Sequence, residues 1–460
     1  PELGIRGSLP GQKNSGNLSR RQAYELLMAP DPSDLDEIFE SQSLYKPAGL
    51  AAYRDFSESV ISDSSDPEIR STRLADLRSA CGRRPVGILG ELNGSARGVS
   101  IDRDFLESLG ARVTLINHRP RNIVHRIVPE GRSLNLCRDE LEALHARERE
   151  YSLGYVPDND GDRGNIVYIG RDGRAAILEA QTVFALVALA ESAWLEYSGA
   201  IAGGAKVAVA VNGPTSMRID EICRTFGIDI FRAEVGEANV VGLAAGLRRK
   251  GYIVRLMGEG SNGGNITHPA AVRDPLNTLG SIIKLLSLRS DGARKGLFEI
   301  WCERSGHPYR EDFTLSDVLD SLPEYVTTSA YEDRALMKIS STDNKGLKAA
   351  YEAIFVKDFP AKRRELSQRW GIESWEEINT EGGIERSGFG PDFRSGEHRG
   401  GLKILFSDAA GNHAAYIWMR GSGTEPVFRV LADVKGNRPE LEAYLLDWHR
   451  SMIERADRTT

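Results

Sequence analysis

Short β-prone runs alternate with amphipathic helical runs through the middle of this chain, and that alternation predicts an α/β fold. Between Leu74 and Val167 the pattern gives a strand at Pro85–Leu89, the glycine-bearing turn ELNGSARG, and an amphipathic helix at Ser100–Leu109. A strand at Ala111–Ile116 and a charged surface helix at Leu136–Arg149 complete that unit. A second unit begins with the helix Leu178–Tyr197 and the strand Lys206–Val211, after which NGPTS caps a helix running to about Phe226. Ile228–Arg232 reads as a strand, Glu234–Glu237 as a turn, Val240–Arg249 as a helix and Tyr252–Met257 as a strand. The far end differs: a charged helical run over Lys345–Trp375, a Gly- and Arg-rich loop or insertion over Glu381–Gly401, and a hairpin of Leu402–Phe406 with Ala414–Met419. A third strand, VFRVLADV, and a final helix at Arg438–Arg455 make this an α+β domain.

At 460 residues the chain has room for three or four cores. The expected divisions are 1–66, 67–172, 173–300 and 301–460, with SDSSDP (Ser62–Pro67) as the first linker. A formal charge of -7 argues against nucleic acid as the main partner. Cys81, Cys137, Cys223 and Cys302 are scattered, with no CxxC pair, which suits a reducing cytoplasm. No signal peptide is visible, and the most apolar helix, Ala180–Tyr197, carries Glu191. It reads as a buried core helix rather than a membrane span.

Four stretches carry chemistry. In YVPDNDGDRGNIVY, Asp158, Asp160 and Asp162 alternate in a loop between two strands, with Arg163 directly after. Three carboxylates this close repel one another unless a cation sits among them, and oxygen-only ligands beside a phosphate favour Mg²⁺. A calcium EF-hand fails, because Arg163 stands where that loop needs glycine and Ile169 where it needs the bidentate glutamate. A solvated acidic turn is the plain alternative. In GEGSNGGNI, Glu259 and Ser261 offer an acceptor and a hydroxyl suited to sugar hydroxyls, on a backbone whose glycines allow close approach. In RGSGTEP, the residues Arg420, Ser422, Gly423 and Thr424, with Arg429 beyond, form a phosphate-binding set of turn N–H groups, hydroxyls and guanidinium groups. Near the start, Ser8 follows Gly7 in a turn that could expose its hydroxyl as a nucleophile; an ordinary polar-turn serine fits the same residues.

DxDxDR, then GExS, then RxSGTEP, in that order and at domain-sized spacing, resemble the signature series of the α-D-phosphohexomutase superfamily. The resemblance covers the chain from about Leu74 onward, including LSDVLDSLPEY and the terminal hairpin. It implies related α/β domains followed by a C-terminal α+β domain around one cleft. It also implies that a hexose 1-phosphate and a hexose 6-phosphate are interconverted through a phosphoserine and a bisphosphate intermediate. By that resemblance, Asp158, Asp160 and Asp162 hold Mg²⁺, Arg163 neutralises the phosphoryl group in flight, and Glu259 and Ser261 hold sugar hydroxyls. Arg420, Ser422, Gly423, Thr424 and Arg429 grip the phosphate that is not reacting. Glucose and mannose phosphates are the expected substrates, from EGSNGGNI with Arg273 and Asp274 after it. Phosphoglucosamine mutase, a phosphatase using the same ligands and a catalytically impaired sugar-phosphate-binding relative are the alternatives. A cytoplasmic monomer or homodimer is expected. Ser8 is the nearest match to the family's phosphoserine, with departures: Leu9 replaces a histidine, one position is missing before Pro10, and the lysine after Asn-Gly is absent. A competing reading takes GIRG as the family's amino-terminal arginine motif and leaves the serine unidentified.

Overall fold

The computed structural model describes residues 32–201, 204–394, 400–421 and 427–460, with side chains for residue 41 and from residue 45 onward. Ser8, Ser422, Gly423 and Thr424 lie outside the described residues. The chain divides into residues 1–56 and 57–460. Among the described residues there are three sheets, all within residues 57–460.

The first sheet contains β1 (Gly87–Glu91), β2 (Arg112–Ile116), β3 (Tyr151–Pro157), β4 (Gly164–Ile169) and β5 (Ala175–Ile177), in the order β2-β1-β3-β4-β5. It continues through β5, past the division expected at Asp172. Strands β1, β2 and β3 are parallel, and β4 returns antiparallel to β3. The helix Asn135–Arg147 covers one face: Cys137, Leu141 and Leu144 form a single stripe against Leu89, Val156 and Val167. Gly154 permits that approach, because a Cβ there would lie 2.7 Å from the Cys137 sulfur.

The second sheet contains β6 (Ala208–Asn212), β7 (Asp229–Ala233), β8 (Leu256–Glu259) and β9 (Gly264–Thr267), in the order β7-β6-β8-β9, with the first three strands parallel. Val240, Ala244 and Leu247 are the buried stripe of the helix Glu237–Arg249, and Ala244 and Leu247 pack on Ala208, Ala210 and Met257. On the chain before β6, the helix Ala180–Tyr197 is buried almost throughout, Glu191 included. Among the described residues no helix is long and apolar enough to cross a membrane, and all four cysteines are buried free thiols.

The third sheet is antiparallel. It contains β10 (Tyr325–Thr327), β11 (Leu336–Lys338), β12 (Ser374–Glu381), β13 (Ile384–Ser387), β14 (Gly401–Ser407), β15 (His413–Gly421) and β16 (Val427–Lys435). They run β10-β16-β15-β14-β12-β13, with β11 also paired to β16. Alternation splits β15 and β16 between two buried faces. Ala415, Ile417, Met419, Val430, Ala432 and Val434 join the core formed with the helices Asn344–Trp370 and Pro439–Asp457. Tyr416, Trp418 and Leu431 turn the other way, onto Met217 after β6. On that face the fully buried Asp433 accepts hydrogen bonds from Ser216 Oγ (2.7 Å) and the Met217 amide (2.8 Å), and Tyr416 Oη donates to the Pro214 carbonyl (2.8 Å).

One stretch departs from expectation. The helix expected to reach Trp375 ends at Gly371, which takes φ 74° and sends its N–H back to Ser367. Part of the expected loop over Glu381–Gly401 is instead strand: β12 and β13 pair as a hairpin on the sheet edge. Its inward positions are polar, which hid the period. Glu377 and Asn379 are buried there, with Arg394 lying between Glu352 and Glu377.

Candidate active site

Because β1, β2 and β3 are parallel, the loops after them share one edge, the place where open α/β sheets hold ligands. The acidic loop lies there, between β3 and β4. The Asp158 amide donates to the Arg163 carbonyl (3.0 Å) and Gly161, at φ 77°, makes the turn. The ELNGSARG turn supports it from below. Ser95 Oγ donates to the Asp158 carbonyl (2.6 Å) and the Ala96 amide to the Asn159 carbonyl (2.9 Å). Arg97 packs so closely under Gly161 that a Cβ there would lie 2.5 Å from its Cδ.

Asp158 is buried, Asp162 half-buried and Asp160 exposed, and each can offer one oxygen such that all three lie within 4.8 Å of one another. Burial, with Asp160 and Asp162 beside it, pushes the Asp158 carboxyl up to about 6 against the pull of Arg163. A cation among the three would relieve that crowding, so the donor set fits a hard divalent ion. Two guanidinium groups already lean on the trio. Arg163 Nε lies 2.7 Å from Asp158 Oδ2 and 3.6 Å from Asp162 Oδ1, while Arg273 pairs with Asp162 on one side and Glu237 (2.8 Å) on the other.

The Glu259 loop leaves the carboxyl end of β8. The buried Glu259 carboxylate accepts from Asn212 Nδ2 (3.1 Å), the Gly236 amide (2.7 Å) and Asn262 Nδ2 (3.0 Å). Asn212 also donates to Ser261 Oγ (3.0 Å). Both side chains are therefore fixed in direction before any ligand arrives.

Arg420 lies near the end of β15, and its Nε is 2.8 Å from Glu234 Oε1. Arg429 is its direct cross-strand neighbour on β16, exposed, with Nη1 3.2 Å from the Ala330 carbonyl. The rest of that loop set lies outside the described residues.

The turn Glu234–Glu237, at the carboxyl end of β7, joins these groups, though in the sequence it reads only as a turn. Glu234 takes Arg420, the Gly236 amide takes Glu259, and Glu237 takes Arg273, which holds Asp162. Acidic loop, Glu259 loop and Arg420 thus stand on one connected run of ion pairs and hydrogen bonds. The signal in the sequence was thin: two glutamates around a glycine after a strand.

No family model matches the chain. It is 24% identical over 412 residues, 89% of its own length and 69% of the relative's, to a protein named phosphoglucomutase/phosphomannomutase from Thermococcus kodakarensis. Over 233 residues it is 28% identical to a probable phosphoglucosamine mutase from Methanopyrus kandleri, spanning about half of the chain and 46% of that relative. A solved structure of a phosphoglucomutase/phosphomannomutase family protein from Burkholderia thailandensis superposes with a TM-score of 0.53 at 16% identity. It covers 84% of this chain, which spans 64% of that one. The fold, a mixed α/β architecture of several sheets, is shared with that protein.

Proposed function

We infer that this chain, a relative of the α-D-phosphohexomutases, moves a phosphoryl group between the two ends of a hexose phosphate. The observation that carries the reading is the linkage of the acidic trio, the Glu259 loop and Arg420 through the turn Glu234–Glu237. Those groups supply what phosphoryl transfer needs: placement and charge neutralisation more than covalent help.

In this reading Arg420 and Arg429, with Ser422, Gly423 and Thr424, grip the phosphate at the end of the sugar that is not reacting. Glu259 accepts hydrogen bonds from sugar hydroxyls and Ser261 adds its own. A phosphoserine at Ser8 passes its phosphoryl group to the free sugar hydroxyl: the new P–O bond forms as the bond to Ser8 Oγ breaks, and the proton lost by the sugar hydroxyl is balanced by the one that the released Ser8 Oγ takes up. The resulting bisphosphate turns over and returns the other phosphate to serine. Asp158, Asp160 and Asp162 would hold Mg²⁺, whose charge neutralises the transferring group when bound. Arg163 faces the same group from the adjoining position. Glucose and mannose phosphates remain the proposed substrates, with glucosamine phosphate the competing one.

A coupled assay on glucose 1-phosphate, mannose 1-phosphate and glucosamine 1-phosphate, primed with glucose 1,6-bisphosphate, tests this, alongside intact-mass detection of phosphate on Ser8. Isomerisation with one added phosphate is expected. Release of inorganic phosphate without isomerisation would make the chain a phosphatase. Binding without turnover would make it a non-catalytic relative, the reading that Leu9 in place of histidine favours.

Two smaller effects are expected at the same site. Arg420→Ala removes a charge-assisted contact and leaves Glu234 without its guanidinium partner, so KM for the hexose phosphate should rise by about tenfold or more; initial-rate kinetics read it directly. Mg²⁺ affinity should weaken as pH falls below about 6, because a protonated Asp158 must give up its proton to become a ligand. Calorimetry in buffers of different ionisation enthalpy should show proton release at about pH 5.5 and little at about pH 8.

A further inference from the structure

The segment 328–335, which joins β10 to β11, is fastened along its length to the C-terminal structure. The Thr328 amide donates to the Ala432 carbonyl (2.8 Å), and the Thr328 hydroxyl to Glu442. Arg334 Nη1 donates to Glu442 Oε2 (2.7 Å), and the candidate phosphate-gripping Arg429 donates to the Ala330 carbonyl (3.2 Å). From this anchored segment one side chain reaches away from the third sheet. Tyr331 Oη lies 3.1 Å from the Asn262 carbonyl, at the tip of the Glu259 loop, and 3.5 Å from Arg163 Nη1.

The two contacts are chemically compatible. A phenol hydroxyl has one hydrogen, given to the Asn262 carbonyl, and lone pairs free to accept from Arg163. The Arg163 contact is at the long end of the range, as contacts in an unliganded site often are before they tighten. Arg163 is otherwise held through two carboxylates, Asp158 Oδ2 at 2.7 Å and Asp162 Oδ1 at 3.6 Å. Asp158 is also a candidate metal ligand, so a divalent ion in the trio would compete for the carboxylate that now orients the guanidinium. Asp162 belongs to the same trio, so Tyr331 is the attachment that is independent of the metal.

We propose that Tyr331 is a positioning residue: it keeps the Arg163 guanidinium aimed at the transferring phosphoryl group when Asp158 turns to the metal, and it ties the Glu259 loop to the same point. The proposal rests on the phosphohexomutase reading. Because Ala330 is held by Arg429, the same short segment connects the phosphate grip to the metal loop. Tyr331 touches neither the sugar nor the phosphoryl group in this scheme and acts through Arg163 and Asn262.

The test is Tyr331→Phe, which removes the hydroxyl and keeps the ring. With hexose 1-phosphate, Mg²⁺ and bisphosphate primer, kcat should fall about tenfold, the scale of a lost hydrogen bond to a charged group, while KM stays within about twofold. In an Arg163→Gln background the same change should cost less than about twofold, since its route to the chemistry is already gone. Hydrogen exchange of the full chain with Mg²⁺ present should quicken in both segments 158–163 and 258–266, a readout needing no turnover. Full kcat in Tyr331→Phe, or a loss that multiplies undiminished with that of Arg163→Gln, overturns the proposal. Should the wild-type chain isomerise no hexose phosphate, the mutase reading falls by itself. Exchange in the two loops then judges Tyr331 alone, and unchanged exchange overturns its coupling role.

Discussion

Asp160→Asn is expected to lower mutase turnover by about a thousandfold at fixed Mg²⁺ while leaving the unfolding midpoint where it was. The size comes from the several kcal/mol of transition-state charge stabilisation that a bound divalent ion supplies to a phosphoryl group. Asparagine keeps the shape and one oxygen but removes the negative charge that makes the position a ligand for a hard cation. Asp160 is the informative member of the trio because it is exposed, so its replacement should disturb stability by no more than about 0.5 kcal/mol. Asp158 is a poorer probe, since it also accepts from the Arg163 amide and guanidinium inside the turn. Calorimetric titration with MgCl₂ and a coupled rate assay, run beside a thermal melt, separate the two effects. Wild-type turnover with intact Mg²⁺ dependence in Asp160→Asn would remove this carboxylate from the site.

The second large effect is on stability. Glu191→Ala should cost about 3–5 kcal/mol of unfolding free energy, the range for removing one partner of a buried ion pair. Glu191 sits fully buried in the helix Ala180–Tyr197. Its carboxylate takes Lys284 Nζ (2.7 Å), Arg255 Nε (2.8 Å) and Ser281 Oγ (2.5 Å). Alanine would leave a buried ammonium and a buried guanidinium facing a void. Lys284 lies over the Trp194 ring at 4.4 Å, which helps it but does not replace a counter-charge. Urea denaturation should show the loss as a lower midpoint. The pair Glu191→Leu with Lys284→Met should recover part of it, because an apolar pair removes the desolvation cost on both sides. Burial opposes ionisation of Glu191, yet Lys284 and Arg255 outweigh it and hold the carboxyl down at about 2. Its folded value is thus depressed, so the stabilisation is complete above the unfolded carboxyl's range and is lost as pH falls toward about 2. An unfolding free energy for Glu191→Ala within about 1 kcal/mol of wild type would contradict the assignment.

Several elements could be read before any coordinates. Strand–loop–strand around the three aspartates was legible because alternating apolar residues bracket a turn rich in Asp, Asn and Gly, and β3 and β4 have that pattern. The burial of the helix Ala180–Tyr197 was legible in an apolar surface on every side. Other elements were masked by composition. The β12–β13 hairpin carries buried Glu377 and Asn379 where a strand core would ordinarily be apolar, so its period of two did not register as hydrophobicity. Glu191 was visible as a charge that argued against a membrane span, but nothing nearby in sequence announced Lys284 or Arg255 as its partners.

By itself the sequence determined which residue types stand together in each loop, because turn chemistry and strand period depend on neighbours a few positions apart. It placed three aspartates in one turn, a glutamate and a serine in another, and an arginine before a glycine-rich third. Only the tertiary structure decided which loops meet, and through whom. Glu234, Glu237, Arg273 and Tyr331 bind them to one another, Arg273 reaching Asp162 across 111 positions and Tyr331 reaching Arg163 across 168. Ion pairs and hydrogen bonds of that kind have no periodicity along a chain. Their partners are chosen by where parallel strands end and which sheet faces which, and that is settled by the packing of the whole core.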